Sequence, residues 1–198
     1  MMYLIVLSLI TIGACMDYSD YIARNISLPL SAALYSSEPS SCLQKKLDSA
    51  IVTEYSVSWG GGFCSGLIVS LPESNAIALV FRAEIAEPSK FVAKWFELFV
   101  PFTTWRHSGK VSKFLEKGFS KLWLKGGMRK DFEKIMKQRG SDDVLVTGYS
   151  LGGGVAALVA VDIVKDGLAD KDKVTLTTLG QPMVGDKDFA KEYEQQVM

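Results

Sequence analysis

The segment Gly148-Tyr149-Ser150-Leu151-Gly152 constrains this chain more than any other. The apolar run Val144-Leu145-Val146-Thr147 precedes it, and an apolar stretch of helical length, from about Ser150 to Lys165, follows. A strand of that kind is buried, and a helix beginning at its end must fold back over the sheet. So sharp a turn brings strand and helix together, and Gly148 and Gly152 leave room where side chains would collide. The serine between them projects clear of the backbone. Positive helix-dipole charge and the Leu151 N–H then face any oxyanion forming there. A glycine-rich βα turn of a nucleotide-binding fold is the competing reading, but the chain has no G-x-G-x-x-G or G-K-[ST]. Ser150 therefore reads as a nucleophile.

Strand and helix patterns alternate through much of the chain. Ser65–Leu71 and Ala76–Arg82 read as strands around the turn residues Pro72-Glu73-Ser74-Asn75, and Ala76–Phe81 is apolar on both faces. Tyr18–Tyr35 reads as a helix that Pro29 kinks or restarts, and Met128–Arg139 as an amphipathic helix stopped by Gly140. Val174–Leu179 is a further strand; Asp186 and Asp188 cap and begin a helix over Lys187–Gln195. The pattern predicts an α/β fold, a mostly parallel sheet with helices on both faces. At 198 residues, one domain is expected. Lysine plus arginine and aspartate plus glutamate both count 22, which leaves no basic surplus for phosphates, so nucleic acid is not an expected partner. The lysines of Lys110–Lys137 read as solvated helix faces.

Leu4–Ile12 is an apolar run ending in Gly13-Ala14-Cys15. It is too short to span a bilayer and fits a secretory signal peptide over residues 1–16, leaving 17–198 as the mature domain of an extracellular protein. A buried N-terminal element and a lipoprotein signal at Cys15 are the alternatives. Of the remaining cysteines, Cys42 and Cys64 form an even pair, which in an exported chain reads as a disulfide worth about 3 kcal/mol in the loop-entropy picture. Two buried thiols is the other reading. The chain's one histidine is His107, and no short Cys spacing exists, so no metal or cofactor is expected.

Val146-Thr147-Gly148-Tyr149-Ser150-Leu151-Gly152-Gly153-Gly154, followed by Thr178-Leu179-Gly180-Gln181-Pro182-Met183-Val184-Gly185-Asp186, resembles the fungal-lipase-like (class 3) branch of the α/β-hydrolases. Ala78-Leu79-Val80-Phe81-Arg82 resembles the strand leading to that family's oxyanion loop, and Ala32-Ala33-Leu34-Tyr35 with Cys42 its N-terminal helix and cysteine. The resemblance implies serine esterase chemistry on triacylglycerol-type lipid esters, with Ser150 as nucleophile and the Leu151 N–H as one oxyanion donor. It places the second donor at Glu84, where the family has threonine or serine; Ala83 stands at its glycine. The family's acid and histidine lie beyond the Gly-Gln-Pro segment, and no histidine follows Ser150, so the domain reads as C-terminally incomplete. A catalytically silent lipid-binding protein is the alternative. Phe91–Trp105 falls where related lipases carry an apolar lid touching the lipid surface; core packing of an amphipathic helix is the other reading.

Overall fold

A computed structural model describes residues 19–45, 47, 51–87, 89, 101–140 and 142–197. Its strands are β1 (Ile51–Trp59), β2 (Gly62–Leu71), β3 (Ala76–Ile85), β4 (Phe102–Thr104), β5 (Lys110–Ser112), β6 (Asp143–Tyr149) and β7 (Val174–Leu179). The longer helices are α1 (Leu28–Ala33), α2 (Pro39–Gln44), α3 (Lys113–Phe119), α4 (Met128–Arg139), α5 (Leu151–Lys165) and α6 (Lys187–Val197).

The central sheet runs β1-β2-β3-β6-β7. Short turns join β1, β2 and β3, so these pair antiparallel, while β3, β6 and β7 are parallel. Parallel pairing needs crossovers. The β3-to-β6 connection includes α3 and α4, and α5 joins β6 to β7. The α/β class and helices on both faces are as expected, and the strands extend a few residues beyond the apolar runs. The pattern did not single out β1, an edge strand whose outward serines, Ser56 and Ser58, dilute its alternation.

Two cores flank the sheet. Leu67, Val69, Ala78 and Val80 pack against Leu30, Leu34 and Leu43 on the α1 side. Ile77, Leu79, Phe81 and Ala83 pack against α3, α4 and α5 on the other. Leu151 to Ile163 are all buried, because α5 lies between the sheet and α3 and α6. Helix α3 comes close: a Cβ on Gly154 would stand 2.7 Å from Leu115 Cδ1. Ahead of α1, Ile22–Ser27 is π-wound, as suits a chain approaching Pro29, whose ring excludes an ordinary turn around its missing N–H. Tyr18 and residues 1–16 lie outside the described residues.

The disulfide expectation is overturned. Cys42 and Cys64 are both free, the first exposed on α2 and the second buried in β2 beneath Gly118. Burial pushes the Cys64 thiol up, well above the ordinary thiol range. Titration with a thiol reagent at pH 8 is therefore expected to modify Cys42 in the folded chain and Cys64 only after denaturation. Both cysteines resisting the reagent until reduction would restore the bridge.

Candidate active site

Strand β6 ends at Tyr149 and α5 begins at Leu151, so Ser150 alone makes the turn, at φ 53° and ψ −123°. A left-handed φ in a residue with a Cβ costs on the order of 1–3 kcal/mol and persists only where its surroundings impose it. Here the Ser150 N–H donates to the Leu179 carbonyl of β7 at 2.8 Å, and the Gly153 N–H donates to the Ser150 carbonyl at 2.9 Å. A Cβ on Gly152 would stand 2.2 Å from the Phe81 carbonyl oxygen, and one on Gly148 would stand 2.5 Å from the backbone of Gly152. No side chain fits at either position. Replacing Ser150 by glycine is expected to relax the turn and raise unfolding stability by about 1 kcal/mol, whereas Ser150→Ala keeps the strain. Equal urea midpoints for the two variants would contradict this.

The expected oxyanion loop at Ala83–Glu84 is still strand. The Ala86 N–H donates to the Gly61 carbonyl, and the register is unbroken through Gly62↔Ile85 and Phe63↔Glu84. Hydrogen-bonded pairs alternate along an antiparallel ladder, which makes Glu84 and Phe63 the next such pair. The Glu84 N–H thus points toward β2, away from Ser150, and is not an oxyanion donor in this arrangement. Ala83 gives the chain no reason to leave the β region where a glycine would let it turn.

The Glu84 carboxylate is also occupied. It accepts from Arg82 Nε at 2.9 Å and Nη2 at 2.8 Å, and Arg82 Nη1 donates to the Leu34 carbonyl at 3.0 Å. The guanidinium lies 4.3 Å over the Tyr35 ring, which meets Tyr149 edge-on at 6.1 Å. Burial, then the Glu84 charge, raises the Tyr35 phenol above its ordinary value. Sequence patterning missed this cluster. Its only signal was Tyr149 beside the nucleophile.

His107 lies elsewhere. Its Nε2 is 3.0 Å from Asp162 Oδ1, roughly 18 Å along α5 from the turn. Asp162, fully buried, also accepts from Arg106 Nη1, from Trp123 Nε1 at 2.8 Å and from Arg129 Nη1 at 2.9 Å. Asp166 accepts from Arg106 and Arg129 at 2.9 and 2.7 Å. Burial would raise the Asp166 carboxyl, but Arg129 and Arg106, with His107, outweigh it and hold it below the ordinary range. His107, Asp162 and Asp166 form a metal-type grouping, yet the same carboxylate oxygens already receive two guanidinium groups. Among the described residues the grouping is a charge knot rather than a cation site. An aspartate between Val161 and Ile163 was the sequence signal for it.

Asp186 behaves as the expected cap, its Oδ1 accepting from the Asp188 and Phe189 N–H groups at 3.1 and 3.0 Å. These and the Lys110 backbone lower its carboxyl. Of the lid segment, Phe91–Val100 lies outside the described residues. Trp105 is core, packed edge-on against Phe119 at 4.8 Å, so at that end core packing replaces the lid reading.

The sequence profile described as Lipase (class 3) matches residues 78–198, more than half of the chain. The chain belongs to the class 3 lipase family. It is 33% identical over 187 residues to Lipase ZK262.3 of Caenorhabditis elegans, covering 91% of this chain and 51% of that protein. Phospholipase A1-IIdelta of Arabidopsis thaliana is 33% identical over 84 residues, 41% of this chain and 20% of that protein. This class 3 lipase family member thus spans about half the length of the first relative and a fifth of the second. Lipase from Rhizopus microsporus var. chinensis superposes with a TM-score of 0.69 at 19% identity, over 87% of this chain and 60% of that one. Lipase II from Rhizopus niveus gives 0.67 at 19%, over 86% and 63%. At these identities the structures speak to the fold, which is the α/β-hydrolase fold.

Proposed function

We propose that this family member is a secreted serine hydrolase of triacylglycerol-type lipid esters, acting through an acyl-enzyme on Ser150. The observation that carries the proposal is the strained turn, which presents one hydroxyl at the start of a buried helix beside the Leu151 N–H. The Ser150 Oγ bonds to the ester carbonyl carbon, and the alcohol departs with a proton. Water then adds, releases the fatty acid and returns the proton to Oγ. In this reading the proton acceptor is a histidine supplied, with its acid, by sequence beyond residue 198, the order along this fold being serine, acid, histidine. Relatives named lipase and phospholipase A1 support the substrate class. The apolar run Leu4–Ile12 supports export, and Phe91–Val100 is assigned to surface contact. One observation favours the silent alternative: the Glu84 N–H is committed to β2.

The test is direct. The chain, extended by a family-type C-terminal segment, is quenched in acid during turnover of p-nitrophenyl butyrate and digested. A butyryl group on the peptide carrying Ser150, absent from Ser150→Ala, is expected. Hydrolysis that survives Ser150→Ala would sink the proposal.

A further inference from the structure

A cleft of about 220 Å³ opens on the α1 side of the sheet, between the loop after α1 and strands β1 to β3. We propose that it binds a neutral polyol, the free hydroxyls of a glycosyl or partly acylated glycerol headgroup, which narrows the lipid ester that Ser150 cleaves to one that still carries such hydroxyls. This rests on the hydrolase reading for its context but not for its test.

Ser56 and Ser65 stand opposite each other across β1 and β2, and Ser65 stands opposite Arg82 across β2 and β3. With Leu67 and Val69 of the same strand facing α1, alternation places this row on the α1 face. Ser36 and Ser37 come in from the loop above. The Ser65 Oγ is buried and has no hydrogen-bond partner, a condition that in a native protein calls for an explanation. Ions are poorly served here. Arg82 spends its guanidinium on Glu84 and the Leu34 carbonyl, and Glu54 accepts from the Ser40 N–H and Oγ at 3.3 and 2.6 Å. Hydroxyl groups remain, beside the Phe63 ring, and a polyol, which offers hydroxyls together with C–H groups, matches both.

The location fits an ester at Ser150. Ser65 pairs with Arg82 while Phe81 pairs with Gly148, which puts Ser65 level with Tyr149 and two strands away, roughly 10 Å. Ring contacts lead from Arg82, which lines the cleft, through Tyr35 to Tyr149, the residue before Ser150. A headgroup joined to its ester through a glycerol unit spans that distance.

The experiment titrates chain 1–198, isotopically labelled, with methyl β-galactopyranoside and separately with glycerol, following backbone amide resonances. Saturable shifts are expected at Ser56, Ser65 and Arg82, retained in Ser150→Ala and weakened roughly three- to tenfold in Ser65→Ala. Ser65→Ala breaks no existing hydrogen bond, so its fold is preserved, which the rest of the spectrum verifies. The galactoside saturating first assigns a glycosyl headgroup; glycerol saturating first assigns a partial glyceride. Absence of saturation with both probes, indifference to Ser65→Ala, or tighter binding of inorganic phosphate would overturn the proposal. Binding without ester hydrolysis in the extended chain would remove the hydrolase reading and leave the cleft assignment standing.

Discussion

Chain 1–198 is expected to turn over p-nitrophenyl butyrate barely above the uncatalysed rate, and a C-terminal extension carrying an acid and a histidine is expected to raise that by several orders of magnitude. A serine hydroxyl without a base at hydrogen-bonding distance is a poor nucleophile at neutral pH, and removing a triad member costs about 10⁴- to 10⁶-fold. The one histidine in the chain is tied to Asp162, far down α5. Glu84→Thr alone is expected to change little, because the base is still absent and Ala83 still favours the straight strand. Ala83→Gly with Glu84→Thr, added to the extension, is expected to do best, since the chain then turns and a second N–H reaches the oxyanion. Steady-state rates on the four proteins decide it. Ser150-dependent activity in unmodified 1–198 that His107→Ala abolishes would refute the separation of His107 from the site.

Asp162→Ala is the second large effect. It leaves Arg106, Arg129, the Trp123 N–H and His107 without their shared buried acceptor, and breaking such a group costs about 3–5 kcal/mol. For a domain of this size the melting temperature is expected to fall by on the order of 10 °C. Glu133→Ala, removing a partly exposed partner of Arg129, is expected to cost under about 1 kcal/mol. A melt of Asp162→Ala within 2 °C of the parent would show that the knot holds nothing. The acid side follows from Asp166: its folded carboxyl is depressed, so its contribution is present above the unfolded value and lost as pH falls through the folded one. Melting at stepped pH should show that loss below the ordinary carboxylate range.

The turn, its strand and its helix were legible because glycine spacing and apolar runs record local sterics, and those sterics recur in the contacts of Gly148 and Gly152. Ala76–Phe81 was legible for a like reason, both faces being covered. What escaped depends on partners distant in sequence. The direction of the Glu84 N–H follows from pairing with Phe63, and the neutralisation of its carboxylate from Arg82 on the same face. Thr53, Glu54, Ser56 and Ser58 do not announce β1, because an edge strand needs few apolar residues. The cysteine pair misled because parity says nothing about whether one thiol is sealed in a core.

That sealing bears on how these residues fold in reducing and in oxidising surroundings. With Cys64 beneath Gly118 and Cys42 outward on α2, the described fold draws nothing from sulfur oxidation. It should assemble equally in glutathione-rich and in oxidising surroundings, and tolerate serine at residue 42 without a change in melting. Passage through an export pathway would make no demand on isomerases for these two positions, and redox poise would not gate the folding of the described residues.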